Sequence, residues 1–222
     1  MVVRGTARVT CPACGAKHDG ELVQSINTHT NPKDKQRLLD GELNVLACSC
    51  GKRAQLAANV LFHDPDAQFY CQVVPGGDRA MDEAAAAFAV SGVTGTLRLV
   101  PSLHALVEKV KLLDAGLTDW AIEMTKVLLL ASISPVGAGP PGSMIGGELD
   151  RVLLFEAIDR EAGVLRWVIF DEEGRTPESV SSPLAAYEKL VTREPSRPRD
   201  TELRIDRAWA VEAVKKMVAA AN

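Results

Sequence analysis

Several features that would assign a class to a chain are missing from this 222-residue sequence. The longest apolar run is AAAAFAV at residues 84–90, and VLLLA at 127–131 is shorter still. Both are far shorter than the roughly 20 residues of a membrane-spanning helix. The first residues, MVVRGTARVT, lack the apolar stretch of a signal peptide. We therefore expect a cytoplasmic protein that makes no membrane contact.

Common enzyme motifs and a strong charge excess are also missing. The sequence has no G-x-S-x-G, and GAGPPGSMIGG at 137–147 lacks the Lys-Ser/Thr ending of a phosphate-binding loop. The formal net charge is −4, and residues 1–75 carry 8 Lys/Arg against 7 Asp/Glu. Phosphate contacts need clustered cations. The sequence therefore leans against an enzyme and makes nucleic-acid binding the less favoured alternative, although GKRAQ at 51–55 offers one small basic stretch.

The residues that are present, 46% hydrophobic and 24% charged, predict three regions of an α+β protein. Residues 1–75 predict a small zinc-ribbon-like β domain, ending at the break PGGD. Residues 76–135 contain two amphipathic helices joined by DAGLT, which predict a helical hairpin. Residues 136–222 form a C-terminal α+β region, in which RVLLFEAID and GVLRWVIFD predict a β-hairpin.

Caps and loops add detail to this outline. Asn31, Ser102, Ser182 and Asp206 each precede a helical pattern and are candidate N-caps. TELRID, just before the last helix, predicts a short strand. The Gly- and Pro-rich stretch SPVGAGPPGSMIGGELD at 134–150 predicts a linker or long loop.

Two cysteine pairs are the strongest chemical signal. Cys11 and Cys14 lie in CPACG, and Cys48 and Cys50 lie in CSCG, each pair followed directly by glycine. Tetrahedral zinc places its ligand sulfurs roughly 3.7 Å apart, which a tight turn between cysteines achieves. The one-residue spacing of the second pair brings both thiols to one face of an extended strand, given local bending. We therefore predict a Cys₄ zinc site.

Three other interpretations of the cysteines are open. A redox pair needs its first cysteine at a helix N-terminus, whereas Gly15 and a strand-like run follow Cys14. Disulfides rarely persist in the cytoplasm, and an odd count of five cysteines leaves Cys71 over, which we expect to be a buried apolar residue. Iron also accepts thiolates. A histidine, either His18 or one of two others (His29, His63), is the candidate replacement if Cys48 misaligns; otherwise we expect these to be surface or hydrogen-bonded histidines.

Four cysteine ligands leave no position for a water molecule or a substrate on the metal. We therefore expect the zinc to be structural, with no catalytic residues and no other cofactor.

The residues VTCPACGAKHDGELVQSINTHTNPKDKQRLLDGELNVLACSCG, followed by LFHDP, resemble the N-terminal domain of the bacterial CpXC proteins. The resemblance covers about residues 5–75, and more loosely 97–130. It implies that Cys11, Cys14 and Cys50 match the family pattern. In that pattern the second pair begins at the position of Ala47, and here it begins at Cys48. The family implies no activity.

We therefore expect a zinc-stapled interaction or regulatory protein of bacterial type that acts through a protein partner or self-association. A nucleic-acid-binding zinc ribbon is the first alternative, and an enzyme with an unrecognised site is the second.

Overall fold

The chain is described by a computed structural model over residues 3–133, 152–170, 177–193 and 197–220. These residues form helices and several β-sheets, which confirms the α+β class. The chain separates into two compact units, Met1–Val107 and Glu108–Asn222, called here the first and the second unit. The three-region division at residues 75 and 135 stays a prediction.

The first unit is built mainly from short strands. In chain order its elements are β1 (Arg4–Thr10), β2 (Lys17–Val23), β3 (Ser25–Asn27), α1 (Pro32–Leu39), β4 (Val45–Ala47), β5 (Arg53–Gln55), β6 (Val60–Asp64), β7 (Phe69–Val73), α2 (Gly77–Val90) and β8 (Thr96–Val100). A further helix, α3 (Leu103–Asp114), crosses into the second unit.

Three sheets arise from these strands. β1 and β2 form one antiparallel hairpin and β4 and β5 form another. The remaining strands form a mixed four-stranded sheet in the order β3-β6-β7-β8, in which β6 and β7 are antiparallel and the outer pairs are parallel. The stretch RAQLAANVLFH at 53–63 is therefore divided between β5 and β6, which belong to two different sheets.

The four-stranded sheet carries an apolar core. Val60 and Phe62 on β6, and Cys71 and Val73 on β7, are at most 1% exposed. They alternate with less buried neighbours, as the two-residue period of a strand requires. This burial confirms Cys71 as a core residue.

Asn31 and Ser102 both precede their helices as predicted, but only Ser102 makes the capping hydrogen bond. Asn31 occupies the N-cap position of α1, but its Oδ1 accepts the N–H of Asn27 at 2.7 Å and makes no cap bond. Ser102 caps α3 as predicted, because its Oγ accepts the N–H of Ala105 at 3.2 Å. Gly41 ends α1 in the left-handed region at φ +71, which glycine adopts without steric cost.

The second unit contains the rest of the secondary structure. Its further elements are α4 (Asp119–Ile133), β9 (Val152–Asp159), β10 (Val164–Phe170), β11 (Pro177–Pro183), α5 (Leu184–Val191) and α6 (Arg207–Ala219). The strands form an antiparallel sheet in the order β11-β10-β9, which confirms the predicted β-hairpin.

One helix lies at the centre of the second unit. Every residue of α4 from Trp120 to Val127 is buried, so this helix is covered on all sides. Leu128, the next residue, is 37% exposed. The apolar core around α4 includes Phe155 and Trp167, whose rings meet edge to face at 6.0 Å.

A network of buried charges crosses this core. Lys126 Nζ lies 2.7 Å from Glu108 Oε2 and 3.0 Å from Glu123 Oε1. Lys109 Nζ lies 3.0 Å from Asp119 Oδ2 and also donates to the carbonyl of Ile205 at 2.8 Å. These ion pairs join side chains of α3 to side chains of α4.

The charge on Lys126 is stabilised by its partners. Burial alone lowers the pKa of its ammonium group, but the carboxylates of Glu123 and Glu108 outweigh that effect, so the pKa is raised overall. Glu108 is held in turn by the backbone N–H of Phe155, at 2.7 Å from its Oε1. Lys126 therefore keeps its charge inside the core.

Two predictions for the second unit were wrong. Ser182 does not cap a helix: it ends strand β11, and its Oγ accepts the indole N–H of Trp167 at 2.9 Å. TELRID at 201–206 is not a strand, although Asp206 caps α6 as predicted by accepting the N–H of Trp209 at 3.0 Å. The predicted linker at 134–150 lies outside the described residues. No helix of the described residues has the length and apolar character to cross a membrane.

Candidate metal centre

Both cysteine pairs lie in the turns of β-hairpins. The first turn follows the last residue pair of β1 and β2, Thr10 and Lys17, and carries Cys11 and Cys14. The second turn follows the last pair of β4 and β5, and carries the other two cysteines. The second pair therefore converges through a turn, and the extended-strand geometry expected for it was wrong.

The two turns are built alike, and the second is one residue shorter. Cys11 and Cys48 each open a turn, and the amide of each donates across it, at 2.8 Å, to the carbonyls of Ala16 and Lys52 respectively. The closing glycines have φ +74 and φ +86, which favours glycine over other residues. Their amides donate back to the first cysteine of each turn at 2.9 Å.

This correspondence explains the spacing of the second pair. Cys11 and Cys48 are both buried, and Cys14 and Cys50, each just before its glycine, are both exposed. Because the second turn has one residue fewer, its opening position is 48. Ala47, where the family pattern would place the cysteine, is the last residue of β4 and is exposed.

The four thiols converge on one point. Their sulfur atoms all lie within 4.8 Å of one another. Cys11 Sγ is 3.8 Å from Cys50 Sγ, and Cys14 Sγ is 3.5 Å from Cys48 Sγ. These values bracket the separation of roughly 3.7 Å expected around one tetrahedral ion and exceed the length of an S–S bond, about 2.05 Å. All four are free thiols, so no disulfide joins them.

A buried asparagine ties the two hairpins together. The side chain of Asn44, 2% exposed, accepts the N–H of Val23 at 2.8 Å and donates to its carbonyl at 2.9 Å. This joins the end of β2 to the start of β4. On the same side Leu56 approaches Gly20 so closely that a Cβ at position 20 would lie 3.3 Å from it. The clamp joins the two hairpins at the ends of β2 and β4 that lie away from the cysteine turns, and sequence reasoning missed it.

The thiols differ in acidity. Backbone N–H groups of Ala13 and then Cys14 hydrogen-bond Cys11 and lower the pKa of its thiol to about 6. For Cys14, the backbone N–H of Ala16 lowers the pKa, but the three neighbouring sulfurs and burial outweigh it and raise the pKa to about 12. A thiolate therefore forms more readily at Cys11 than at Cys14.

His18 lies next to the cluster. Its Nε2 is 3.1 Å from Cys48 Sγ, a distance suited to an N–H···S hydrogen bond. The side chain comes from β2, where residue 18 pairs with Val9. Only the folding of the first hairpin against the second turn creates this contact. The sequence analysis named His18 as a possible replacement for Cys48 as a metal ligand. In the structure His18 lies beside Cys48 instead.

The other two candidate histidines lie elsewhere on the first unit. His29 Nε2 forms an ion pair with Asp66 at 2.9 Å. His63 accepts a hydrogen bond from the Asn27 side chain at 3.1 Å and stacks on the ring of Tyr70 at 4.1 Å. Each has the hydrogen-bonded environment that was expected, and neither belongs to the cysteine cluster.

The arrangement can bind a metal ion and leaves little room for other chemistry. Four sulfur donors at tetrahedral spacing fit one soft or borderline cation. A multi-iron cluster, which contains bridging sulfides between its irons, requires thiolates that are further apart. The fold and the site together define a protein with two cysteine turns, each in a β-hairpin, whose four thiols could hold one metal ion.

The sequence of the chain also matches the model of a protein family. The model described as CpXC protein matches residues 9–126, more than half of the chain. The chain belongs to the CpXC family, as the resemblance implied. The match includes both cysteine turns and extends through the buried charges of α3 and α4. No curated protein and no solved structure matches the chain.

Proposed function

We propose that Cys11, Cys14, Cys48 and Cys50 bind one structural zinc ion, and that the protein acts as an interaction or regulatory protein of the cytoplasm. The observation that carries this proposal is the set of four sulfurs within 4.8 Å of one another. Zinc is the metal that Cys₄ sites with short spacings most often hold in structural roles.

The donor set supports a structural role. A catalytic zinc commonly keeps one position for water and uses three protein ligands. Four thiolates fill the tetrahedron, and their negative charge makes the ion a weaker Lewis acid. The ion therefore holds the two hairpin turns together, where strands of three residues (β4, β5) bury little surface of their own.

The basic residues of the first unit do not favour the nucleic-acid alternative. Arg8 pairs with Asp19 at 3.0 Å, directly across the hairpin that carries the first cysteine turn. Arg53, in the small basic stretch beside the second turn, pairs with Glu42. Cations whose charge is already compensated contribute less to phosphate binding. A protein partner or a second copy of the chain is therefore the favoured ligand.

Metal analysis and affinity purification test the two parts of the proposal. Purified protein should contain one zinc per chain, and a stable partner or a dimer should be recovered with the wild-type protein as bait. Recovery should fall for a C14S bait, which lacks one exposed ligand. Affinity for DNA or RNA at low salt that falls steeply with added salt would instead favour the nucleic-acid alternative.

A further inference from the structure

An open groove of about 900 Å³ lies within the second unit. One wall is a face of α6, and the other is formed by Arg193 and the segment that leads into α6, including Arg197 and Arg199. The opposite side of α6 is occupied, because Ala210 and Val214 are buried in the core. The helix therefore presents a second face to the groove.

The groove is lined by more positive than negative side chains, whereas the chain as a whole carries a negative net charge. Three arginines (Arg193, Arg197, Arg199) and Lys216 line it, against two carboxylates, whereas the whole chain has a net charge of −4. One of the carboxylates, Glu212, pairs with Lys215 at 2.8 Å. The hydrogen bond and charge of Lys215 lower the pKa of Glu212, so it is ionised and compensated. The groove therefore keeps an excess of positive charge.

The floor of the groove is apolar. Trp209, Ala213, Met217 and Ala220 follow one another along the groove face of α6. Ala220 lies eleven positions after Trp209, which corresponds to a rise of about 16 Å along a helix. An extended peptide of about five residues has that length. The backbone N–H of Trp209 donates a hydrogen bond to the side chain of Asp206, the N-cap residue, which fixes the start of this helix.

This combination selects an acidic peptide. Guanidinium groups bind carboxylates through paired N–H donors. An aromatic and a thioether side chain between them suit an apolar side chain of the ligand. A nucleic acid is the poorer fit, because the lining offers one aromatic ring, Trp209, whereas single-stranded nucleic acids bind with successive bases stacked on several aromatic side chains.

We propose that the groove lined by α6, Arg193 and residues 197–202 binds a short acidic segment of a partner protein, with an apolar side chain on Trp209 and Met217 and carboxylates at Arg197, Arg199 and Lys216. The proposal rests on the interaction role given above, for which it names the chemistry of the partner. It does not depend on the metal.

A selection of random twelve-residue peptides displayed against the full, zinc-loaded chain tests the proposal. Enriched sequences should carry acidic residues on either side of an aliphatic or aromatic residue. A labelled copy of the most enriched peptide then measures affinity. Reversal of two charges in R197E/R199E should weaken binding by about tenfold or more, and K216E, on the opposite wall, should weaken it in the same direction.

The matched control changes the same net charge outside the groove. K33E/R79E alters two exposed cations of the first unit and should bind the peptide as the wild type does. Circular dichroism and zinc content should be unchanged in all variants, which separates failure of the groove from failure of the metal site. Peptides without acidic enrichment, equal affinity of R197E/R199E, or displacement of the peptide by a single-stranded oligonucleotide would overturn the proposal.

Discussion

The cysteine hairpins and the second unit are stabilised in different ways. In the hairpins, short strands are joined by an asparagine clamp and by four thiols that surround one point. In the second unit, a helix buried on all sides lies in a continuous apolar core that also contains ion pairs. The proposed zinc should therefore contribute more to the stability of the first region than to that of the second, which has an extensive apolar core of its own.

The two regions can also be followed by separate measurements. All three tryptophans, at positions 120, 167 and 209, belong to the second unit. Tryptophan fluorescence therefore follows the second unit, and zinc content and hydrogen exchange of the hairpin amides follow the first. Each experiment below uses this separation.

Removal of the metal should have the largest effect. Structural zinc contributes roughly 10–16 kcal/mol of binding free energy in zinc-finger peptides, and this is folding free energy where the site forms only on binding. Chelation, or the substitution C11S, should abolish protection of amides in β1, β2, β4 and β5 in hydrogen exchange. Tryptophan fluorescence should change little.

Cys71 provides the control for that experiment. It is fully buried in β7 and outside the cysteine cluster. C71A should therefore keep one zinc per chain even if it lowers the stability of the four-stranded sheet. Loss of zinc in C71A, or full zinc content in C11S, would contradict the ligand assignment.

Disruption of the buried ion pairs should have the next largest effect, this time in the second unit. K126M removes the partner of Glu108 and Glu123, which are at most 10% exposed. A buried charge left without its partner costs about 3–5 kcal/mol. Urea unfolding followed by tryptophan fluorescence should shift accordingly, while zinc content stays at one per chain.

The surface pair of Lys215 and Glu212 is the matched control for K126M. Both side chains are at least half exposed, so K215M should leave the urea midpoint nearly unchanged. If K126M and K215M have equal effects, the buried network does not stabilise the second unit.

The substitution H18A should have an intermediate effect on the first unit. A hydrogen bond to a ligand orients that ligand, and loss of such a partner commonly lowers metal affinity by about 10–100-fold. Competition with a chromophoric zinc chelator measures the change. H104A, on the exposed face of α3, should bind zinc as the wild type does. An unchanged affinity in H18A would remove any role for the contact with Cys48.

The smallest effect concerns pH. The hydrogen bond and charge of Asp66 raise the pKa of His29, whereas burial lowers the pKa of His63. The His29 contribution to stability is therefore present below the ordinary histidine pKa of about 6.5 and is lost as pH rises through its own higher pKa. Histidine ring signals in NMR should titrate with His29 above His63. The reverse order would contradict the two environments.

Local chemistry explains what the sequence could predict. A C-x-x-C pair closed by a glycine favours a tight turn from its own residues, so the turn that carries Cys11 and Cys14, and the cap at Asp206, were predictable, whereas the second cysteine turn was expected as a bent strand. Strand pairs with clear apolar alternation, such as β9 and β10, were predictable for the same reason.

Long-range packing explains what the sequence could not predict. The side chain of Asn44 bonds a residue 21 positions away, and His18 meets Cys48 across 30 positions. Strand β11, PESVSSP, has almost no apolar alternation and exists because it pairs with β10. Charged residues usually lie on the surface, so the sequence alone does not show that charged residues of α3 and α4 are buried.

The most direct test of the proposed site is X-ray absorption at the zinc edge of the purified protein. Four sulfur ligands at about 2.3 Å, with no nitrogen or oxygen ligand, are expected for a closed site formed by Cys11, Cys14, Cys48 and Cys50. A nitrogen or oxygen ligand at about 2.0–2.1 Å, from His18 or water, would contradict a closed Cys₄ site.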